Sequence, residues 1–249
     1  MTPPVSYGVR GEHSSPRFAR AFAAGCGGDV AYASGGIVPD TDFAAFCTPP
    51  LYPLLKHAQD AGRTWYYGDH AYLGSRGGQF RVTKNGYQCT TTDPNATPDR
   101  FERLGLSVQP WRRSGAHVLV CPNSRAHGEQ HGFDMQDWTD RTAATLAHHT
   151  DRPIRVKYKS DPWPIRSELV DCWAVVVYSS AAALDALMCG IPVFVGAPWA
   201  AAAQLGQCDL AQIEAPWCPD HREQVLWTLA ARQWTVPEIT SGVAWEAVR

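Results

Sequence analysis

The sequence is poor in charge: 18% of its 249 residues are Asp, Glu, Lys or Arg, against 45% apolar. That balance excludes a disordered tail and a coiled coil, both of which need far more polar surface. Neither sign is in excess. Twenty-two Lys and Arg face 24 Asp and Glu, a formal net charge of −2, so no overall basic field drives non-specific nucleic-acid binding, although a local basic groove stays open. The eight cysteines include no Cys-x-x-Cys pair, and several lie inside apolar runs. Reduced, packed thiols in a cytoplasmic protein are expected rather than a disulfide framework. Residues 1–10 lack the apolar core of a signal peptide. The one long apolar stretch, Ala174–Val195, holds Ser179, Ser180 and Asp185 and is interrupted by Gly190 and Pro192. It parses as strand, helix, strand and not as a membrane span.

Several catalytic signatures are missing as well. There is no GxSxG elbow, Walker loop or GxGxxG, which leaves hydrolase, ATPase and dehydrogenase readings without a motif. His127-Gly-Glu-Gln-His131 sets two imidazoles one helical turn apart, but the zincin order needs Glu directly after the first His. Cys208, Cys218 and His221 lack the close ligand pairs of a structural zinc site. No metal site is expected.

What the sequence does have is alternation. Val5–Val9 reads as a strand, Ser14–Ala24 as a helix capped by Ser14 or Ser15 with Pro16 in its first turn, and Gly25-Cys26-Gly27-Gly28 as its stop. Asp29–Ser34, Ala44–Cys47 and Thr64–Tyr67 read as strands and Pro49–Ala61 as a helix. The Gly-, Thr-, Asn- and Pro-rich stretch 74–100 reads as a long irregular excursion. After a junction at 112–115 the rhythm restarts: strands at His117–Cys121, Ile154–Lys159, Ala174–Tyr178 and Pro192–Val195, helices at Met135–His149, Ile165–Cys172 and Ala181–Cys189. Residues 222–249 read as two helices broken near Pro237. The expected fold is α/β, two Rossmann-like lobes spanning 1–112 and 113–249, with the terminal helices packing back across them. In such folds ligands bind at the carboxyl ends of the strands.

Three segments of the second half carry candidate chemistry. Ala174-Val-Val-Val-Tyr178 delivers Ser179, Ser180 and Ala181 to the start of an alanine-rich helix, where free amides favour an anion, and Asp185 lies one turn further on to accept from a ribose. An ordinary strand–helix unit whose serines merely cap explains the same pattern. His117–Cys121 ends in Asn123, Ser124 and Arg125. Ile154–Lys159 alternates so that Arg155, Lys157 and Lys159 share one face.

The strand, serine pair, Ala-rich helix with an acidic residue and Gly190-Ile-Pro-Val resemble the nucleotide-binding half of GT-B glycosyltransferases and of epimerase-like relatives. Trp65-Tyr-Tyr-Gly-Asp-His-Ala-Tyr72, Phe80-Arg-Val-Thr-Lys-Asn-Gly-Tyr87, Pro110-Trp-Arg-Arg and Gln233-Trp-Thr-Val-Pro-Glu-Ile are similar to glycosyltransferase-like proteins of tailed phages and their hosts. The resemblance implies transfer of a sugar from a nucleotide sugar, UDP-linked, to an acceptor hydroxyl, without a metal or other cofactor. It implies a cytoplasmic enzyme, in the host cell if phage-encoded. The donor would be bound by Asn123, Ser124, Arg125, Lys157, Lys159, Tyr178, Ser179, Ser180, Ala181 and Asp185.

Asp69 and His70, at a strand end, would supply the acceptor base and its orienting partner; Tyr67, Tyr72, Arg81, Lys84 and Asn85 would contact the acceptor. Two acceptors fit: a hydroxymethylated pyrimidine in DNA, or a surface glycan. DNA is favoured by a basic sector of Arg76, Arg81, Lys84, Arg100, Arg103, Arg112 and Arg113 interleaved with Trp65, Tyr66, Tyr67, Tyr72 and Trp111, on which an extruded base would stack. A nucleotide-sugar epimerase and a non-catalytic nucleotide-binding protein are the readings from other classes. The oligomeric state is not indicated.

Overall fold

The computed structural model describes residues 2–11, 13–32, 40–74 and 78–249. Arg76, and Ala33 and Ser34 of the second expected strand, lie outside the described residues. The protein is mixed α/β, with a six-stranded sheet and a separate four-stranded parallel sheet. Two compact units hold them: residues 1–87 with 232–249, and residues 88–231.

In the first unit, β1 (Val5–Gly8), β2 (Val30–Tyr32), β3 (Phe43–Phe46) and β4 (Trp65–His70) are parallel. Beyond β4 the sheet continues through β5 (Gln79–Lys84), antiparallel to β4, and then β10 (Gln233–Thr235), antiparallel to β5, giving the order β10-β5-β4-β3-β1-β2. Strand β5 lies inside the stretch expected to be irregular, because its glycine- and threonine-rich flanks mask a short alternating run. Helix α1 (Ser14–Cys26) runs through Gly25 and stops at Gly27, which is left-handed at φ 71°. Its expected cap is used elsewhere: the Ser15 hydroxyl accepts the Val9 amide at 3.0 Å. The expected 49–61 helix is a 3₁₀ turn, Pro49–Leu51, followed by α2 (Tyr52–Asp60).

Period-two alternation sorts the sheet's side chains onto two buried faces. Ala44, Phe46, Tyr66, Phe80 and Val82 pack with Phe18 and Phe22 of α1. Phe43, Ala45, Trp65 and Tyr67 pack with Leu51, Leu54 and Leu55 on the other side. A Cβ on Gly68 would lie 2.3 Å from the Phe18 ring, so the bare glycine lets that ring sit directly on β4. The chain returns to this unit through β10 and two short helices, α9 (Val236–Thr240) and α10 (Val243–Val248), whose Ile239 and Trp245 complete the first face. Pro237 therefore starts a helix instead of breaking one: it occupies the first turn of α9, behind a capping box of Thr235 and Glu238.

In the second unit the order is β7 (Ile154–Val156), β6 (His117–Cys121), β8 (Cys172–Val177), β9 (Val193–Val195), all parallel. Helices α3 (Asp99–Arg103), α4 (Arg125–Gln130), α5 (Met135–Ala147), α6 (Ile165–Glu168), α7 (Ala182–Met188) and α8 (Arg222–Ala231) accompany it. Val118, Val120, Leu146, Ala174, Val176 and Phe194 form one core cluster.

The division falls between Tyr87 and Gln88 and not at the expected 112/113 junction, because residues 88–112 are bound into this unit. The Asp93 backbone carbonyl accepts the Gln224 side-chain amide at 2.6 Å, and the Gln109 and Arg112 backbone amides donate to Met188 and Gly190 carbonyls at 2.8 Å. The buried Arg222 guanidinium donates to the Leu187 and Gln109 carbonyls and lies 3.8 Å over the Trp111 ring. Gly190, at φ 74°, passes so close that a Cβ there would lie 2.0 Å from the Pro110 carbonyl oxygen.

Candidate functional site

At the carboxyl ends of β3 and β4, Cys47, Asp69 and His70 lie beside Arg81 of β5. Asp69 and Arg81 are direct register partners on β4 and β5, and their side chains form an ion pair only 18% and 8% exposed. The other Asp69 oxygen accepts the His70 amide at 2.7 Å, while Arg81 also donates to the His70 carbonyl at 3.3 Å and lies 4.7 Å over the Tyr72 ring. The His70 ring meets Phe46 edge-on at 5.3 Å. Beside them Cys47 lies 3.8 Å from the Tyr52 hydroxyl, and burial pushes its thiol up to about 12, so it stays protonated.

Of the expected acceptor residues, Arg81 is thus committed to Asp69. Tyr67 and Tyr72 are buried, as are Trp65 and Tyr66; these four rings are core and offer no stacking platform. Lys84 and Asn85 are exposed, yet β5 runs antiparallel, so they lie beside Tyr66 and Trp65, three to four residues or about 10 Å along the sheet from Asp69. Asn85, left-handed at φ 52°, closes that turn, its side-chain oxygen accepting the Trp65 amide at 2.9 Å. The basic sector also divides: Arg81 and Lys84 belong to the first unit, Arg100, Arg103, Arg112 and Arg113 to the second.

In the second unit a cavity of about 720 Å³ opens at the carboxyl ends of β6 and β7. Asn123, Ser124 and Arg125 line it after β6, Tyr158, Lys159 and Ser160 after β7, and Asp134, Met135 and Gln136 from the start of α5. Each wall has a local cause. The Asp134 carboxylate caps α5, accepting the Gln136 and Asp137 amides at 2.7 and 3.0 Å, and those hydrogen bonds hold it below its ordinary carboxylate value. The Tyr158 hydroxyl donates to Gln136 at 3.1 Å, tying α5 to the β7 turn. Strand β7 ends at Val156, so the expected row of Arg155, Lys157 and Lys159 does not form. Lys157 instead turns inward, donating to the Tyr158 and Asp161 carbonyls at 2.8 and 3.2 Å and standing 3.7 Å from the Asp161 carboxylate. It builds the turn that presents Lys159.

Ser179 differs from expectation in a similar way. It is buried, its amide donates to Asn123 Oδ1 at 3.1 Å, and its hydroxyl lies 2.9 Å from His127 Nε2. Its donors are therefore committed inside the protein. The Ser180 hydroxyl accepts the Ala182 amide at 3.4 Å, and α7 begins at Ala182 with Ala181, not a serine, at its N-cap. Asp185 is half-buried on α7. The Tyr178 ring packs against Phe133 at 4.7 Å and Trp138 at 5.9 Å.

Sequence reasoning did not place His127, His131, Trp199 or Gln88 near these residues. The rings of His127 and His131 lie 4.7 Å apart, and His131 stacks on Trp199 at 4.7 Å and 28°. Burial pulls the His131 imidazole down to about 4. Gln88 donates to the Ser179 carbonyl at 3.1 Å and accepts the Ala201 amide at 2.8 Å. The i, i+4 spacing of the two histidines was the one available signal. Among the described residues no group of three or more His, Cys, Asp or Glu is placed to hold a metal ion, and no helix is long and apolar enough to cross a membrane.

The cavity offers amide, hydroxyl, ammonium and guanidinium donors to a ligand rich in acceptors. Arg125 pairs with Glu129 at 2.8 Å, but both side chains are exposed, so the pair is weak and yields easily to a multiply charged oxyanion. No protein-family model matches the sequence, and no curated protein sequence matches it significantly. Solved structures do match. The KpsC beta Kdo 2,7 transferase of Thermosulfurimonas dismutans aligns over 97% of this chain and 99% of that one, with a TM-score of 0.56 and 11% identity. The KpsC beta Kdo 2,4 transferase of the same organism aligns over 94% and 92%, with a TM-score of 0.54 and 11% identity. The chain has a fold similar to that of these glycosyltransferases.

Proposed function

We propose that this chain is a GT-B-type glycosyltransferase that takes a nucleotide-linked sugar as donor and holds the donor's phosphate in the cavity after β6 and β7. The observation that carries the reading is the convergence of Asn123, Ser124, Arg125 and Lys159 on one cavity at strand carboxyl ends, in a fold similar to that of two sugar transferases. Arg125 and Lys159 would neutralise charge as it grows on the departing phosphate, which is how fixed cations lower such a barrier. Asp69 is proposed to take the proton of the acceptor hydroxyl, oriented by Arg81 and the His70 amide.

The acceptor proposed is a glycan. A flipped DNA base needs an exposed aromatic platform, and Trp65, Tyr66, Tyr67 and Tyr72 are all in the core. The test is incubation of the purified protein with UDP-hexoses and with an activated Kdo donor, with and without glycan or hydroxymethylated duplex acceptors. Donor-dependent transfer to a glycan supports the reading; transfer to DNA would replace the acceptor, and neither transfer nor donor cleavage with any donor would reject the enzyme.

A further inference from the structure

We infer that His127 is a positioning residue: acting through the Ser179 hydroxyl, it fixes the Asn123 side chain so that the amide NH₂ is turned toward the cavity. The inference rests on the reading of that cavity as a phosphate site. The starting point is the Ser179 backbone N–H, which can only donate and lies 3.1 Å from Asn123 Oδ1. That contact assigns the amide's oxygen and nitrogen without ambiguity. The Ser179 hydroxyl approaches the same oxygen at 3.4 Å. With its oxygen held by Ser179, the Asn123 amide directs its two N–H donors away from the serine.

A hydroxyl has one proton, and that makes the chain directional. When His127 Nε2 carries a hydrogen, it donates to Ser179 Oγ at 2.9 Å, and Ser179 passes its own proton on to Asn123 Oδ1. When Nε2 is bare, the serine proton turns to the imidazole, and lone pairs of Ser179 and Asn123 face each other. Only the first arrangement gives Asn123 Oδ1 a second hydrogen bond beside the one from the Ser179 amide, so the relay requires hydrogen on Nε2. Ser179 itself cannot drift to compensate: it is buried and Gln88 holds its carbonyl at 3.1 Å. His127 is kept in place by its neighbours, His131 at 4.7 Å and Trp199 at 5.9 Å between ring centroids. An NH₂ so fixed suits a ligand that only accepts, such as a phosphate oxygen, and adds to Arg125 and Lys159 a donor without charge.

The test is a double-mutant cycle read by calorimetric binding of UDP and CMP to the full chain. His127→Phe keeps the ring packing and removes the hydrogen bond; it should weaken binding about three- to tenfold, the factor one neutral hydrogen bond carries. His127→Gln, whose amide can donate to Ser179, should recover most of that loss. In an Asn123→Ala background His127→Phe should change nothing further. Equal losses with and without Asn123, or no loss from His127→Phe, would overturn the inference. If the wild-type chain binds neither nucleotide, the phosphate reading fails. The relay is then judged by nitrogen NMR of the neutral histidine: hydrogen on Nε2 supports it, and hydrogen on Nδ1 overturns it.

Discussion

Asp69 and Arg81 face each other across paired antiparallel strands, and their ion pair is largely shielded from water. Such a pair stabilises little relative to an apolar replacement, but breaking it strands a buried charge. Arg81→Ala is therefore expected to destabilise the first unit by about 3–5 kcal/mol, read by denaturant unfolding. Asp69→Asn should also be costly, and the double variant Asp69→Asn with Arg81→Met should regain most of the lost stability. If Asp69 is the acceptor base, the double variant folds and does not transfer sugar. Transfer by that folded variant would remove Asp69 from the chemistry.

Gly190 illustrates a packing constraint that ties the 109–112 segment to the second unit. A Cβ at its left-handed backbone would meet the Pro110 carbonyl oxygen at 2.0 Å, so Gly190→Ala is expected to cost about 2–4 kcal/mol through strain and displacement of that segment. Unchanged thermal stability of the variant would show that residues 109–112 are not held there.

His131 gives the protein a specific pH response. Its imidazole, stacked on Trp199, is held at about 4, below the ordinary 6.5, by burial. The unfolded chain takes up the proton first as pH falls, so this contribution to stability is complete above about pH 6.5 and is lost progressively toward about pH 4. Because the ring is only partly buried, a loss of about 1–2 kcal/mol is expected after allowing for solvent screening. Urea unfolding at several pH values should show a flatter profile for His131→Phe than for wild type; equal slopes would contradict the assignment.

The parts of the fold that were legible in sequence are those made by one strong local pattern. The β-branched runs of β6 and β8 sit in parallel strands covered on both faces, as continuous apolar strands must be. The same rule explains the main misreading of the first unit, because Trp65, Tyr66 and Tyr67 look like a stacking surface in sequence but belong to a strand buried on both sides. Strand β10 has only three residues, and its pairing with β5 joins positions about 150 residues apart, which no local pattern reveals. Lys157 and Lys159 are equivalent in sequence, yet the turn after Val156 sends one inward and leaves the other at the cavity. The Ser179 turn was legible as a strand end but not as a buried hub, since Asn123, His127 and Gln88 reach it from distant segments.

The cavity after β6 and β7 is tested most directly by titrating UDP, CMP and inorganic phosphate into wild type, Arg125→Ala, Lys159→Ala and the double variant, with the exposed Arg155→Ala as control. Each single variant is expected to weaken nucleotide binding about tenfold, as loss of a charge-assisted hydrogen bond does, the double variant more, and Arg155→Ala not at all, with matching losses of ligand-induced thermal stabilisation. Nucleotide binding by the double variant at wild-type affinity, or no binding by the wild type, would contradict the assignment of this cavity to a phosphate-bearing donor.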